Sequence, residues 1–196
     1  MKVAIICGTI PSTTFIENLI HGLASNGIRV HLLGKNKGNF TYKSHLIRNY
    51  GTAGVLRNLL LFKKYLILLA LFKPSCLFII FKKSRNRGKS FYQFITKYGP
   101  LLWDKPDVIH IQWAKEIQDW IWLKTFDIKI ILSLRGTHIN TSPLAEKDLA
   151  RLFKKYFPEI SAFHCVSDAI MKVGKKYCMD AENAMTIYSG VNIEKM

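Results

Sequence analysis

A histidine, an arginine and several hydroxyl-bearing residues stand where short apolar runs of this sequence give out, the places where a side chain can meet a ligand, and a second histidine stands within such a run. His138 lies in the polar stretch after Arg135-Gly136-Thr137 and has the chemistry to exchange a proton near neutral pH. His110 sits inside the apolar run Asp107–Ile111, where a core histidine held by its neighbours competes on equal terms with a catalytic one. Arg135, before Gly136, offers a planar fork of donors that suits a diphosphate; an ordinary surface ion pair is the alternative. Ser12, Thr13 and Thr14 follow the first apolar run, and a helix opening at Thr14 would aim backbone N–H groups at a phosphate or a sugar hydroxyl. Glu17, three residues after Thr14 in a T-x-x-E pattern, would compete for those donors as a cap. Ser167, Ser189 and Gly190 complete the candidate binding set, and neither serine has an adjacent base that would make it a nucleophile. No pair of carboxylates suggests a self-contained glycosidase-type site.

The elements that must hold these residues alternate. Val3–Cys7 is a continuous apolar run ending at Gly8, as expected of a buried parallel strand. The helix from Thr14 places Phe15, Leu19, Leu23 and Ala24 on one face and stops at Asn26-Gly27, and Arg29–Leu33 reads as the next strand. Asp107–Ile111, Lys129–Leu134, Ala162–Val166 and Met185–Tyr188 are further expected strands, with helices expected over Glu116–Thr125, Pro143–Phe157 and Asp168–Tyr177. This rhythm predicts an α/β fold: a Rossmann-like, mostly parallel sheet with helices on both faces and ligands outside the carboxyl ends of its strands. No G-x-G-x-x-G follows the first strand and no G-x-x-x-x-G-K-[ST] occurs, which disfavours dinucleotide and P-loop chemistry. The four cysteines are too far apart for a CxxC motif and read as reduced cytosolic thiols, with no secretory signal upstream. No metal site or cofactor is expected.

The formal charge of +16 is concentrated. Residues 35–105 hold fifteen basic residues against Asp104 alone, for +14, while the segments on either side carry +1 each. The same stretch contains the most apolar residues of the chain, a basic, apolar helical insertion at about 52–102 in which Pro74 should end or kink a helix. As one helix Tyr65–Phe81 would rise only about 25 Å, with Lys73 and Pro74 near its middle, so a membrane span is disfavoured. Packing on the sheet with a solvated lysine face is one reading. The other is a peripheral membrane patch, with Lys63, Lys64, Lys82, Lys83, Arg85, Arg87 and Lys89 against anionic headgroups. Nucleic acid is a weaker user of this charge. Phe91, Tyr92, Phe94 and Tyr98 could stack on bases, yet no recognition helix, RNP motif or zinc finger accompanies them.

Four segments resemble, in order, the N-terminal half of family 4 glycosyltransferases of the GT-B fold, closest to enzymes of exopolysaccharide, colanic-acid and lipopolysaccharide assembly. Ile10–Ile16, with Gly27–Val30 after it, resembles P-x-x-E-T-F-I and G-h-x-V; Pro106–Ala114 resembles P-D-[VI]-[IV]-H-x-H-x-A. Ser133–Asn140 is similar to S-[FL]-[HR]-G-x-D-[IV], and Cys165–Asp168 with Ile187–Asn192 to V-S-E and P-N-G-V-D. Thr13 stands for the family's Glu, Gln112 for its second His, His138 for its Asp and Asp168 for its Glu; Tyr188-Ser189 replace Pro-Asn, and Asn192 replaces Asp. The resemblance implies one Rossmann-like domain over 1–196, the acceptor side of a two-domain enzyme. A C-terminal domain lying outside these residues, in cis or in trans, would bind the nucleotide-sugar donor. It further implies transfer to a lipid-linked or saccharide acceptor with retention and without a metal, at the cytoplasmic face of a membrane. The implied partners are an anionic membrane surface, the acceptor and the donor domain, not nucleic acid. On that reading the chain would not turn over alone. A non-catalytic membrane- or glycolipid-binding module and a basic nucleic-acid-binding protein are the alternatives.

Overall fold

The computed structural model describes residues 1–38 and 40–188. The apolar run at the amino terminus forms β1 (Lys2–Ile10), longer than its hydrophobic core alone suggests. Side chains alternate across it: Val3, Ile5 and Cys7 pack on one face of the sheet, and Ala4 and Ile6 on the other. Helix α1 (Thr14–Ser25) buries Ile16, Ile20 and Ala24, one residue per turn, against the first of these faces. The chain turns through Gly27 at φ +74° into β2 (Arg29–Asn36), then forms a three-residue strand, β3 (Ile47–Asn49).

Three helices follow. In α2 (Val55–Phe72), Tyr65 and Leu69 face inward. Lys73 separates it from α3 (Pro74–Asn86), which has its proline at the first position, where a missing N–H costs nothing. The Lys73 ammonium donates to the Leu102 and Trp103 carbonyls at 2.9 and 2.7 Å, near the end of α4 (Phe91–Asp104). Helices α2 and α4 pack so closely that a Cβ on Gly99 would lie 2.7 Å from the Cβ of Tyr65. Phe94 and Tyr98 are buried in the core, so two of the four aromatics considered for base stacking are not available to a polymer.

The second half supplies β4 (Val108–Ile111), α5 (Ile117–Trp120) between two 3₁₀ turns, and β5 (Lys129–Leu134). After these come α6 (Gly136–Asn140), α7 (Ser142–Ala145), α8 (Lys147–Tyr156), β6 (Ala162–Cys165), α9 (Asp168–Lys175) and β7 (Ala184–Thr186). All seven strands are parallel, in the order β3-β2-β1-β4-β5-β6-β7. This is the expected Rossmann-like α/β sheet. The strand order reverses between β1 and β4, and the segments leaving those two strands diverge there and open a crevice.

Candidate functional site

At that crevice Gly8 takes φ +67°, and a Cβ on Gly34 of β2 would stand 2.9 Å from the Gly8 carbonyl oxygen. The close approach of the two backbones falls where the β1–β2 pairing shifts register, between Ile6 and Thr9. Trp113, just beyond β4, divides the opening in two. One cleft, of about 290 Å³, is lined by Gly8, Ser12, Thr13, Lys115 and Glu116; the other, of about 240 Å³, by Phe15, Arg135, Gly136 and Val166. Trp113 and His138 border both, with ring centroids 5.0 Å apart.

The first loop differs from its sequence reading in detail. Thr13, not Thr14, is the N-cap residue of α1, and its side chain makes no cap bond. Glu17 reaches past the cap: its carboxylate accepts the Ser12 N–H at 2.6 Å and the Tyr42 hydroxyl at 3.0 Å. That N–H is therefore not free for a ligand. Thr14 is exposed and lines neither cleft, whereas Ser12 and Thr13 line the first.

Arg135 is the most telling group. Burial pushes its guanidinium down to about 10, and among the described residues no carboxylate pairs with it. It lies 4.4 Å above the Phe15 ring and donates one bond, of 3.2 Å, to the side-chain oxygen of Gln112. Among the described residues its Nε has no partner, and neither has the amide nitrogen of the fully buried Gln112. The alternative of a surface ion pair for Arg135 is not formed among the described residues. A partly desolvated cation with no counter-ion among the described residues is costly to maintain and has the chemistry to pair with an anion.

His138 joins Arg135 in the second cleft. Burial and nearby Lys115 lower its pKa, which favours the neutral imidazole, and its buried Nδ1 has no partner among the described residues. His110 lines neither cleft. Its Nε2 lies 2.9 Å from the Ser133 hydroxyl, and burial pushes its pKa down to about 3, so the catalytic assignment gives way to a core histidine. Ser167 caps α9, its hydroxyl oxygen accepting the Ile170 N–H at 3.3 Å, and it lines neither cleft. Ser189 and Gly190 lie outside the described residues.

A larger cavity of about 550 Å³ opens on the other side of Gly8, between the strand ends and α4. Tyr50, Tyr98 and Trp120 are among its walls, and Glu116 borders both it and the first cleft. Burial raises the pKa of Glu116, whose carboxylate takes a 3.4 Å bond from the Trp120 indole. Asp119 gathers Arg87, Lys89 and Lys97 at 3.3, 3.5 and 2.6 Å, and Lys83 lies 5.9 Å from the Trp122 ring centroid. Of the seven cations expected to face a membrane, Arg87 and Lys83 are instead drawn inward, and Lys89 is half-exposed beside Asp119. Lys63, Lys82 and Arg85 are exposed, as is Lys64, whose ammonium lies 5.4 Å from the Tyr65 ring centroid. Sequence reasoning did not single out Trp113 or Glu116; the available signal was an aromatic and an acid within five residues of an apolar strand's end.

The model of the family described as Glycosyltransferase Family 4 matches residues 12–195. No curated protein matches the sequence. Among solved structures, Anabaena HepE in complex with UDP and glucose aligns with a TM-score of 0.56 at 13% identity, over 99% of this chain and 46% of that one. UDP-GlcNAc 2-epimerase from Methanocaldococcus jannaschii gives 0.53 at 15% identity, over 95% and 45%. A sucrose-phosphate synthase structure from Thermosynechococcus elongatus gives 0.54 at 14%, over 100% and 92%. Identities this low show a shared fold. The chain spans about half the length of the first two. With nearly the whole sequence inside the family match and the GT-B type of lobe built as expected, the chain belongs to glycosyltransferase family 4.

Proposed function

We propose that these residues form the acceptor-side lobe of a glycosyltransferase. The enzyme moves a sugar, with retention, from a nucleotide-sugar donor to a lipid-linked or polysaccharide acceptor in the assembly of an envelope or secreted polysaccharide. The donor domain comes from outside the 196 residues, in cis or in trans. The observation that carries the reading is Arg135. A half-buried guanidinium without a carboxylate partner among the described residues, at the strand-end crevice, suits the phosphate groups that both a nucleotide sugar and a lipid-linked acceptor carry. Neutral His138 stands beside it as a hydrogen-bonding group for a sugar hydroxyl, and Trp113 offers a flat apolar face to a sugar ring.

The test is a transfer assay with labelled nucleotide sugars and membrane lipid extract. It is run with the chain alone and with the chain co-expressed with the coding sequence adjoining its own. Label is expected in the lipid or polymer fraction only in the second case. Transfer in neither case, with every common nucleotide sugar supplied, overturns the reading and leaves a non-catalytic module.

A further inference from the structure

The outward faces of α2 and α3 have no partner among the described residues. On α2, Leu56, Leu60, Ile67 and Leu71 are exposed, and on α3 Phe78; each is between 57% and 71% exposed. Leu56, Leu60, Ile67 and Leu71 recur every four, seven and four residues, so they form one stripe opposite the buried Tyr65 and Leu69. Lys63 and Lys64 lie along that stripe, and Lys82 and Arg85 along the exposed side of α3. From Val55 to Asn86 there is no Asp or Glu. The patch is therefore apolar and cationic together, and far too apolar to be an ordinary solvated face.

We propose that this face docks in the plane of a bilayer bearing anionic headgroups. Leu and Phe side chains enter the acyl boundary while Lys63, Lys64, Lys82 and Arg85 meet lipid phosphates. Charge complementarity selects this occupant. A second copy of the chain would set these cations against their own kind in a two-fold interface, and a nucleic acid would gain nothing from exposed Leu and Phe. No helix among the described residues is long and apolar enough to cross a membrane, so the helices lie on it. Asn58 of α2 and Tyr92 of α4 line the 550 Å³ cavity, and Tyr92 packs on Phe62 of α2 at 5.0 Å. Docking thus sets that cavity beside the lipid, a consequence that rests on the acceptor-side reading above; the docking itself does not.

Vesicle flotation tests it with the purified chain, using phosphatidylcholine vesicles and vesicles half of phosphatidylglycerol. Binding is expected to the anionic vesicles and to weaken with salt, each basic residue near the surface being worth about fivefold in partitioning. The variant with Lys63, Lys64, Lys82 and Arg85 all changed to Ser should lose binding by two orders of magnitude or more, about fivefold compounded over four residues. Its circular dichroism should stay unchanged, because all four are exposed. Ile67→Trp should give an indole emission that shifts to the blue on adding anionic vesicles. The proposal falls if the chain ignores anionic vesicles at low salt or if the charge variant floats equally well. It also falls if the chain is a dimer that Leu60→Gln and Ile67→Gln dissolve. Sugar transfer is not read in any arm, so failure here and failure of the transfer assay are distinct outcomes.

Discussion

At the residue scale the site turns on one cation held against its solvation. Arg135 has Phe15 beneath it, Gln112 beside it and, among the described residues, no carboxylate. A charge-assisted bond to an entering anion replaces the water it has lost, and that exchange is worth roughly 1.5–3 kcal/mol per bond. Inorganic pyrophosphate titrated into the chain by calorimetry or NMR should therefore bind, with the amide shifts clustered around Gly136 and Trp113. Arg135→Gln should weaken that binding at least tenfold. Arg135→Lys, which keeps the charge and loses the fork, should fall between the two. Equal binding by all three proteins would remove Arg135 from the site and with it the carrying observation for the proposed function. His138 needs no ionisation for its part, since burial favours the neutral ring.

At the element scale, Ser167 and the helix it starts separate a structural role from a ligand role. Its hydroxyl oxygen takes the Ile170 N–H and so satisfies one of the open donors at the start of α9. Ser167→Ala should cost about 1 kcal/mol in urea denaturation, and Ser167→Asn should restore most of it. A full-stability Ala variant would contradict the cap. The elements also show which parts of the fold the sequence disclosed. The buried central strands β1, β4 and β5 were readable because a parallel strand covered on both faces must be apolar throughout. Strand β3 was not, being three residues at the sheet edge in a polar setting where one buried residue, Ile47, leaves no period. The helix expected over Pro143–Phe157 is three short pieces, α7 and α8 separating at extended Glu146 before a last 3₁₀ turn, a backbone break that no residue-type signal marks. In the same way, Arg135 and His138 were legible from their place after a strand. The cleft-dividing Trp113 and the shared wall at Glu116 depend on how the segment after β4 folds back.

At the scale of the whole molecule, a polar line runs through the sheet. His110 on β4, Ser133 on β5 and His164 on β6 are linked at 2.9 and 3.0 Å, and His164 Nε2 meets the Ile187 carbonyl at 3.1 Å. The direction of the bonds follows from the last one. A carbonyl only accepts, so His164 carries its proton on Nε2, leaving Nδ1 to accept from Ser133, whose oxygen accepts from His110. This run of bonds holds with both rings neutral, and burial favours that state by lowering both pKa values, His110 to about 3. Below the ordinary imidazole value the unfolded chain binds protons that the folded chain refuses. Stability is therefore intact above about pH 6.5 and declines as the pH falls toward 3. For His110 alone the loss at pH 5 is on the order of 2 kcal/mol, a large share of the 5–15 kcal/mol that holds a domain together. Urea midpoints measured from pH 7.5 to 5 should accordingly drop steeply, at constant m-value. In His110→Gln the curve should start lower, because the core loses a fitted ring, but run flatter. A variant that keeps the parent's full pH slope would show that the acid sensitivity arises elsewhere and that this line of bonds does not set it.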